Sequence, residues 1–386
     1  MKILHVFPFF SLKHAGGTVD FVYKLTSAQF NQGHEVAVYT GDFKLDKEYK
    51  DSLKGVKVLT FKSWLNFGFY LMPDMIRQVK INLIEFDIIH LHCYRSFQNM
   101  VIHHYAKKYN IPYVLDAHGS IPKFSRKKRL KTLFDIIYGY KILNNASRIL
   151  AESKTSVEAY KQSGIKRNDI VLFSPPFATE EFSCLPKTGE FRKKYNIKTK
   201  NIVMFFGRIN YIKGLDFLVA AFSELVKHRQ DAILVMVGSD DGYKHALIQM
   251  IERLGLDGKV LFTGFISMED KLRALIDANV VVQVSRYEEG AWAPFEAVLC
   301  GTPIIVTGHT GAGEDVKRID AGYLVELDNK ADLCEKIEYV LDNQDLAKEK
   351  ANKAKIYIEN NMSMKNRLRE YDELYKVCIE EKKSAH

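Results

Sequence analysis

Short apolar segments alternate with helical patterns along almost the whole chain, and this alternation constrains the fold more than any other feature. Met1–Phe7 reads as a strand, and Thr18–Gln32 as an amphipathic helix stopped by Gly33. Further strands follow at His34–Thr40, Val56–Phe61, Asp87–His92, Tyr113–His118 and Arg148–Glu152. Strands of this length separated by helices predict βαβ units around a parallel sheet. Uninterrupted apolar runs such as IIHL and ILA fit a sheet covered on both faces. Between Pro175 and Leu185 the text becomes SPPFATEEFSCL, turn-rich and without a period, which suits an interdomain linker. A second series then begins with NIVMFFG at Asn201 and continues through 232–238, 259–264, 280–285 and 302–307. The expectation is therefore two successive doubly wound α/β domains, 1–180 and 181–365, with ligands at the carboxyl ends of the strands. A single core rarely keeps growing past about 300 residues, so a chain of 386 residues agrees with two domains. The charged amphipathic helix at 362–382 can pack on either half.

Composition serves mainly to exclude. Hydrophobic residues make up 47% of the chain, too many for a disordered protein. No run approaches the roughly 18 apolar residues of a membrane span. The opening MKILHVFPFF lacks a cleavage site of small residues and reads as a strand. Cys93, Cys184, Cys300, Cys334 and Cys378 are far apart, with no CxxC pair, which fits a reducing cytoplasm rather than a zinc site or disulfide framework. The net charge of +9 raises nucleic-acid binding, but no recognition motif or aromatic–basic stripe accompanies it. The cations instead peak at KFSRKKRLKTLF (123–134), just downstream of the aromatic and apolar stretch 64–76. Cations beside apolar residues can hold a protein to an anionic membrane, at about 1 kcal/mol per nearby Lys or Arg. The expectation is a peripheral contact through 123–131, against a plain reading as a solvated helix face.

Two segments carry chemistry. Ser285–Glu314 places Glu288 and Glu296 eight positions apart around a loop of small residues, Gly290, Ala291, Ala293 and Pro294, with one bulky Trp292. Small residues before a helix let backbone N–H groups approach an anion, leaving flanking carboxylates to accept from sugar hydroxyls. Glu296 reads as opening the following helix, where the dipole alone would favour a carboxylate. In GRINYIKG (207–214), Arg208 ends a strand and Lys213 precedes a helix; a planar fork and a point charge together suit a diphosphate.

With these pieces in place, the chain resembles the retaining glycosyltransferase family 4, of the GT-B fold: two Rossmann-like domains facing a central cleft. The matching segments run in family order: Gly16-Gly17, GHEVAVYT (33–40), DIIHLH (87–92), DAHG (116–119), GRINYIKG (207–214), VMVG (235–238), VLFTGF (260–265), and the Glu-x7-Glu element ending in EAVLCGTPIIV (296–306). The resemblance implies an acceptor-binding first domain, a nucleotide-sugar-binding second domain, and a C-terminal helix at about 366–386 that packs back onto the first. It implies catalytic roles for His118, Arg208, Lys213 and Glu288. Donor binding would draw on Gly16, Gly17, Arg208, Lys213, Phe265, Gly290, Ala291, Trp292, Ala293 and Glu296. Gly16 and Gly17 would lie against the donor phosphates, and His118 would contact the donor sugar through its backbone or ring. Arg208 and Lys213 would neutralise the diphosphate, which makes a metal unnecessary and leaves no cofactor beyond the donor itself. Glu296 would accept from the ribose and Glu288 contact the sugar. The family usually has Glu-Gly-Phe-Gly where this chain has Glu288-Glu289-Gly290-Ala291-Trp292. Spacing selects Glu288 as the first carboxylate, whereas adjacency to Gly290 would select Glu289. His90 and His92 are read as structural.

The implied reaction transfers a sugar from a nucleotide-diphosphate donor, UDP slightly favoured over GDP, to a hydroxyl of a glycan or lipid-linked acceptor with retained configuration. Cell-surface polysaccharide or glycolipid synthesis at the inner membrane face is the expected setting. A nicotinamide-dependent dehydrogenase would need G-x-G-x-x-G after the first strand, and KHAGGTVDF lacks it. A GT-B epimerase or phosphorylase, or a silent sugar-binding protein, shares the fold and stays open at this point.

Overall fold

The computed structural model describes residues 1–12, 16–64, 69–122, 128–165, 167, 169–290 and 292–384. Ala291, residues 123–127 of the basic stretch and 65–68 of the apolar one lie outside the described residues. The chain divides into two compact units, the first comprising Met1–Ser174 with Met364–His386 and the second Pro175–Ser363.

Among the described residues the first unit holds seven strands: β1 (Lys2–Phe9), β2 (Glu35–Gly41), β3 (Lys57–Phe61), β4 (Ile88–His92), β5 (Tyr113–Asp116), β6 (Arg148–Ala151) and β7 (Ile170–Leu172). Their order is β3-β2-β1-β4-β5-β6-β7, and every pairing is parallel. The second unit holds β8 (Asn201–Phe206), β9 (Ala232–Val237), β10 (Val260–Gly264), β11 (Val280–Gln283), β12 (Ile304–Thr307) and β13 (Tyr323–Val325). Its order, β10-β9-β8-β11-β12-β13, is likewise all parallel. Both are the doubly wound arrangement in which strand order reverses once, between β1 and β4 and between β8 and β11. Ligand crevices form at that reversal, because the loops on either side turn in opposite directions there. The two shortest strands, β7 and β13, have three residues each and carry too little pattern to stand out in the sequence.

Leu4, Val6, Ile89, Leu91 and Leu115 form the buried centre of the first sheet. Val203, Phe205, Leu234, Met236, Val280 and Val282 do so in the second. Full burial of such side chains contributes about 1.5–3 kcal/mol each, which is why both series read as near-continuous apolar runs. The C-terminal helix Met364–Ser384 belongs to the first unit. Tyr371, Tyr375 and Cys378 are its buried stripe. His34 meets Asp372 at 3.0 Å, and Arg148 forks onto Glu381 at 2.8 and 2.6 Å, anchoring it at two levels. Among the described residues no helix is long and apolar enough to cross a membrane.

Candidate active site

The second unit presents its candidate residues on the loops that leave β8 and β11, the two strands at the reversal. β8 runs into Gly207, and the Ile209 amide donates to the Ser239 carbonyl at 2.9 Å, so the loop stays tied to the end of β9. A side chain on Gly238 would put its Cβ 1.9 Å from the Gly207 carbonyl oxygen, so this close approach of two loops requires glycine. Arg208 reaches Asp241 at 2.8 Å, and Asn210 donates to the same carboxylate oxygen at 2.9 Å. The Arg208 and Asp241 side chains are 48% and 43% exposed, so their pair is worth little and its partners exchange easily.

The loop then closes on Gly214, whose φ of 64° no branched side chain tolerates and whose added Cβ would meet the Val284 carbonyl oxygen at 2.0 Å. That contact brings Lys213 under the end of β11. Lys213 Nζ lies 2.5 Å from Glu288 Oε2, which also accepts from Gln283 Nε2 at 2.7 Å and Ser285 Oγ at 3.1 Å. Glu289 is buried and accepts instead from the Tyr287 hydroxyl at 3.1 Å. Glu288 and not its neighbour therefore meets the Lys213 ammonium.

The helix carrying Glu296 starts earlier than its pattern suggests, spanning Trp292–Leu299. Pro294 sits within its first turn, where a missing N–H costs nothing because those donors lack helical partners anyway. Glu296 is therefore a turn further in than a helix-opening residue. Its Oε1 accepts from Lys271 Nζ at 2.7 Å, a pair only 16% and 8% exposed. Trp292 packs its ring 5.5 Å from that of Phe177. Ala293 is half-buried, Gly290 buried, and Phe265 exposed just beyond β10.

In the first unit Gly16, with φ 59°, precedes the helix Gly17–Asn31 that follows β1. His118 ends β5 in a left-handed turn at φ 45°, its amide donating to the Asp116 carboxylate at 3.1 Å. Both ring nitrogens of His118 are engaged, Nδ1 with Glu152 and Nε2 with His92, each at 3.0 Å. The backbone of His118, rather than its ring, is thus what this turn can offer a ligand. His5, His90 and His92 are fully buried. Their nitrogens lie within 4.8 Å of one another, but the rings stack, His5 on His92 at 13° and His90 on His92 at 25°. His5 and His92 are hydrogen-bonded to each other at 2.9 Å, and His90 Nδ1 meets the Tyr375 hydroxyl at 2.7 Å, so these nitrogens already have protein partners.

Comparison with known proteins identifies the family. Residues 187–359 match the family described as Glycosyl transferases group 1, and residues 15–181 match Glycosyltransferase Family 4. YtcC of Bacillus subtilis, named as a glycosyltransferase, is 30% identical over 71% of this chain and 69% of its own length. The chain is a family 4 glycosyltransferase. HepE of Anabaena, solved in complex with UDP and glucose, superposes with a TM-score of 0.81 at 20% identity, covering 98% of this chain and all of that one. The family's GT-B fold is thereby shared. An alpha-monoglucosyldiacylglycerol synthase of Streptococcus pneumoniae is 23% identical over 72% of this chain and 65% of that enzyme.

Sequence reading of this glycosyltransferase passed over four residues that hold the expected ones. Glu152 grips the His118 ring, and its position at the end of a strand was the available signal. Lys271 partners Glu296 from the middle of a charged helix, where nothing distinguishes it from its neighbours. Arg286 forks onto Asp216 at 2.8 and 2.7 Å, stacks on Tyr211 at 4.1 Å, and donates its amide to the Ile212 carbonyl at 2.8 Å. It thereby ties the loop of Lys213 to the loop of Glu288. Arg95 forks onto buried Asp135 and donates to the Ser120 and Ile121 carbonyls at 2.5 and 2.9 Å, pinning the turn beyond His118.

Proposed function

We propose that this glycosyltransferase moves a sugar from a nucleoside-diphosphate donor to a hydroxyl of a glycan or lipid-linked acceptor, with retained configuration and without a metal ion. The observation that carries the reading is the pairing at the ends of β8 and β11. Arg208 and Lys213 stand on one loop, and Glu288 on the next receives the Lys213 ammonium. As the bond from the sugar C1 to the diphosphate oxygen breaks, negative charge grows on the leaving group, and two cations aimed there lower the barrier. The acceptor oxygen forms the new bond to C1 on the same face, and its proton passes to the departing phosphate oxygen. No protein nucleophile is consumed. Glu296, held by Lys271, accepts from the ribose hydroxyls, and Glu288 from the donor sugar. Gly16 and Gly17 are read as letting backbone approach the phosphates, and Phe265, Gly290, Trp292 and Ala293 as completing the donor site. UDP is the favoured nucleotide, a reading supported by the UDP bound in the structure of HepE.

The acceptor is membrane-borne in this reading, and the protein acts at the cytoplasmic membrane face in cell-surface polysaccharide or glycolipid synthesis. Support comes from the helical stretch that begins at Lys128 and continues through a wide turn at Asp135–Gly139. It carries Lys128, Arg129 and Lys131 beside exposed Leu130, Leu133, Ile136, Ile137 and Tyr138. Apolar side chains at an interface among cations match an anionic lipid surface. The lipid-directed name of the pneumococcal relative points the same way.

A melting panel of nucleotides and nucleotide sugars tests the donor, since binding to the folded state stabilises by mass action. One sugar nucleotide is expected to raise Tm and to release free nucleotide only with acceptor present, giving a product of unchanged anomeric configuration. An inverted product, or no stabilisation by any sugar nucleotide, overturns the reading. Flotation with anionic liposomes at physiological salt tests the membrane contact, and absence of binding removes it.

A further inference from the structure

The first unit buries more hydrogen-bonding chemistry than the proposed transfer uses. Four links join five side chains end to end. Gln29 Oε1 meets His5 Nε2 at 2.7 Å, and His5 Nδ1 meets His92 Nε2 at 2.9 Å. His92 Nδ1 then meets His118 Nε2 at 3.0 Å, and His118 Nδ1 meets Glu152 Oε1 at 3.0 Å. The chain runs from the helix Gly17–Asn31 through β1 and β4 to the ends of β5 and β6. All five side chains are buried, His118 and Glu152 being 4% exposed.

Counting protons leaves this chain two states. Each link needs one, and three neutral imidazoles bring only three. Both ends accept, through the Gln29 carbonyl oxygen and the Glu152 carboxylate, so a fourth proton completes the set. Burial pushes His5 down to about 4 and His92 well below the ordinary range, with neighbouring histidines lowering His92 further. The inner rings therefore resist charge. At the outer end Glu152 at 3.0 Å and Asp116 at 3.4 Å both face His118 Nδ1. Among the described residues, His5 from β1, His90 and His92 from β4, and Tyr371 from the C-terminal helix are also titratable neighbours of this cluster. Among the described groups the two carboxylates favour a cation, Glu152 more than Asp116, which burial raises to about 6, so in the state that carries a fourth proton it belongs at His118. Turning the Gln29 amide end for end would supply that proton from its own NH2 and leave three neutral rings. The two states of the chain thus differ by one amide turn and one charge.

We infer that Glu152 is a positioning residue for transfer, acting through His118. It holds the His118 ring as an imidazolium at the end of a chain anchored by Gln29, and so fixes the left-handed turn whose backbone faces the donor. The consequence for catalysis rests on reading that turn as part of the donor site, whereas the protonation state does not.

Glu152→Gln keeps the shape and removes the charge. We expect kcat to fall about tenfold or more while the donor KM changes less than twofold, the pattern of an interaction that matters at the transition state. Nitrogen-15 NMR of the imidazoles gives a readout that a purely structural role would not move. In the wild type at neutral pH both His118 nitrogens are expected in the protonated range. In Glu152→Gln the ring is expected to become a single neutral tautomer. Gln29→Leu, at the far end, removes one accepting end and with it the need for the fourth proton. It is expected to shift His118 the same way without touching it, and it keeps the test alive if Glu152→Gln does not fold. A neutral His118 in the wild type, unmoved His118 signals in both variants, or wild-type kcat in Glu152→Gln would each overturn the proposal. If no sugar nucleotide is turned over at all, the NMR signals still decide the chain, and the failure falls on the transfer reading alone.

Discussion

Lys213 Nζ and Glu288 Oε2 lie 2.5 Å apart across 75 residues of sequence, joined because the loops after β8 and β11 meet at Gly214. In the proposed mechanism the carboxylate holds the ammonium in place before the donor arrives. Lys213→Ala is expected to lower turnover by about two orders of magnitude or more, the usual loss for one charge-stabilising donor. Nucleotide release under saturating donor measures it, and near-wild-type turnover would sink the assignment.

Lys271→Met leaves Glu296 with its principal partner gone in a site that is only 16% exposed. Removing one member of such a pair strands the other, so the variant should lose about 1–3 kcal/mol of stability. The donor KM should rise as well, because the carboxylate that accepts from the ribose in the proposed donor site is no longer held. Denaturant titration and donor titration read the two effects separately. Lys271→Arg, which keeps the charge, should recover most of both.

At Gly214 an alanine would face both a left-handed φ and the Val284 carbonyl oxygen 2.0 Å from its Cβ. Backbone cannot swing aside as a flexible side chain could, so the loop of Lys213 must shift. A fall in Tm of at least about 2–4 °C, the equivalent of 1 kcal/mol in a unit of this size, is expected with loss of activity. Unchanged melting and activity would show that the two loops do not meet as described.

Stability should drop on mild acidification. Burial lowers His5 from its ordinary value of 6.5 to about 4. Below pH 6.5 the unfolded chain therefore binds a proton that the folded one refuses. The stability contributed by keeping the ring neutral is complete above 6.5 and is lost as pH falls toward 4. This single group accounts for about 3 kcal/mol at pH 4. Chemical denaturation across that window should show the slope, and His5→Phe should make it shallower, with buried His90 and His92 keeping the rest.

In the proposed mechanism Arg208 and Lys213 supply the charge that stabilises the leaving diphosphate, so transfer is expected to continue at the same rate in EDTA. Arg208→Lys, which replaces a planar fork by a point charge, should still slow it. A strict requirement for added divalent metal would remove this account of the leaving group.

Much of the architecture was legible in sequence because strands covered on both faces are written as unbroken apolar runs, and helices as a separate period. The three-residue strands β7 and β13 were not, since so short a run has no pattern to read. The helix of Glu296 shows a further limit. Its text suggested a loop through Pro294, but a proline in the first turn leaves the helix intact, so the start lies at Trp292.

By itself the sequence determined the two parallel sheets, the family, and which residue types stand at the ends of the strands, because these depend on periodicity and on spacing within single loops. Only the tertiary structure decided the partners: Glu288 rather than Glu289 for Lys213, Lys271 for Glu296, and Glu152 and His92 for the His118 ring. Each of those pairs joins residues far apart in sequence, on different loops, strands or helices. Which side chains meet there depends on sheet order and on close approaches at Gly214 and Gly238, and local sequence carries neither.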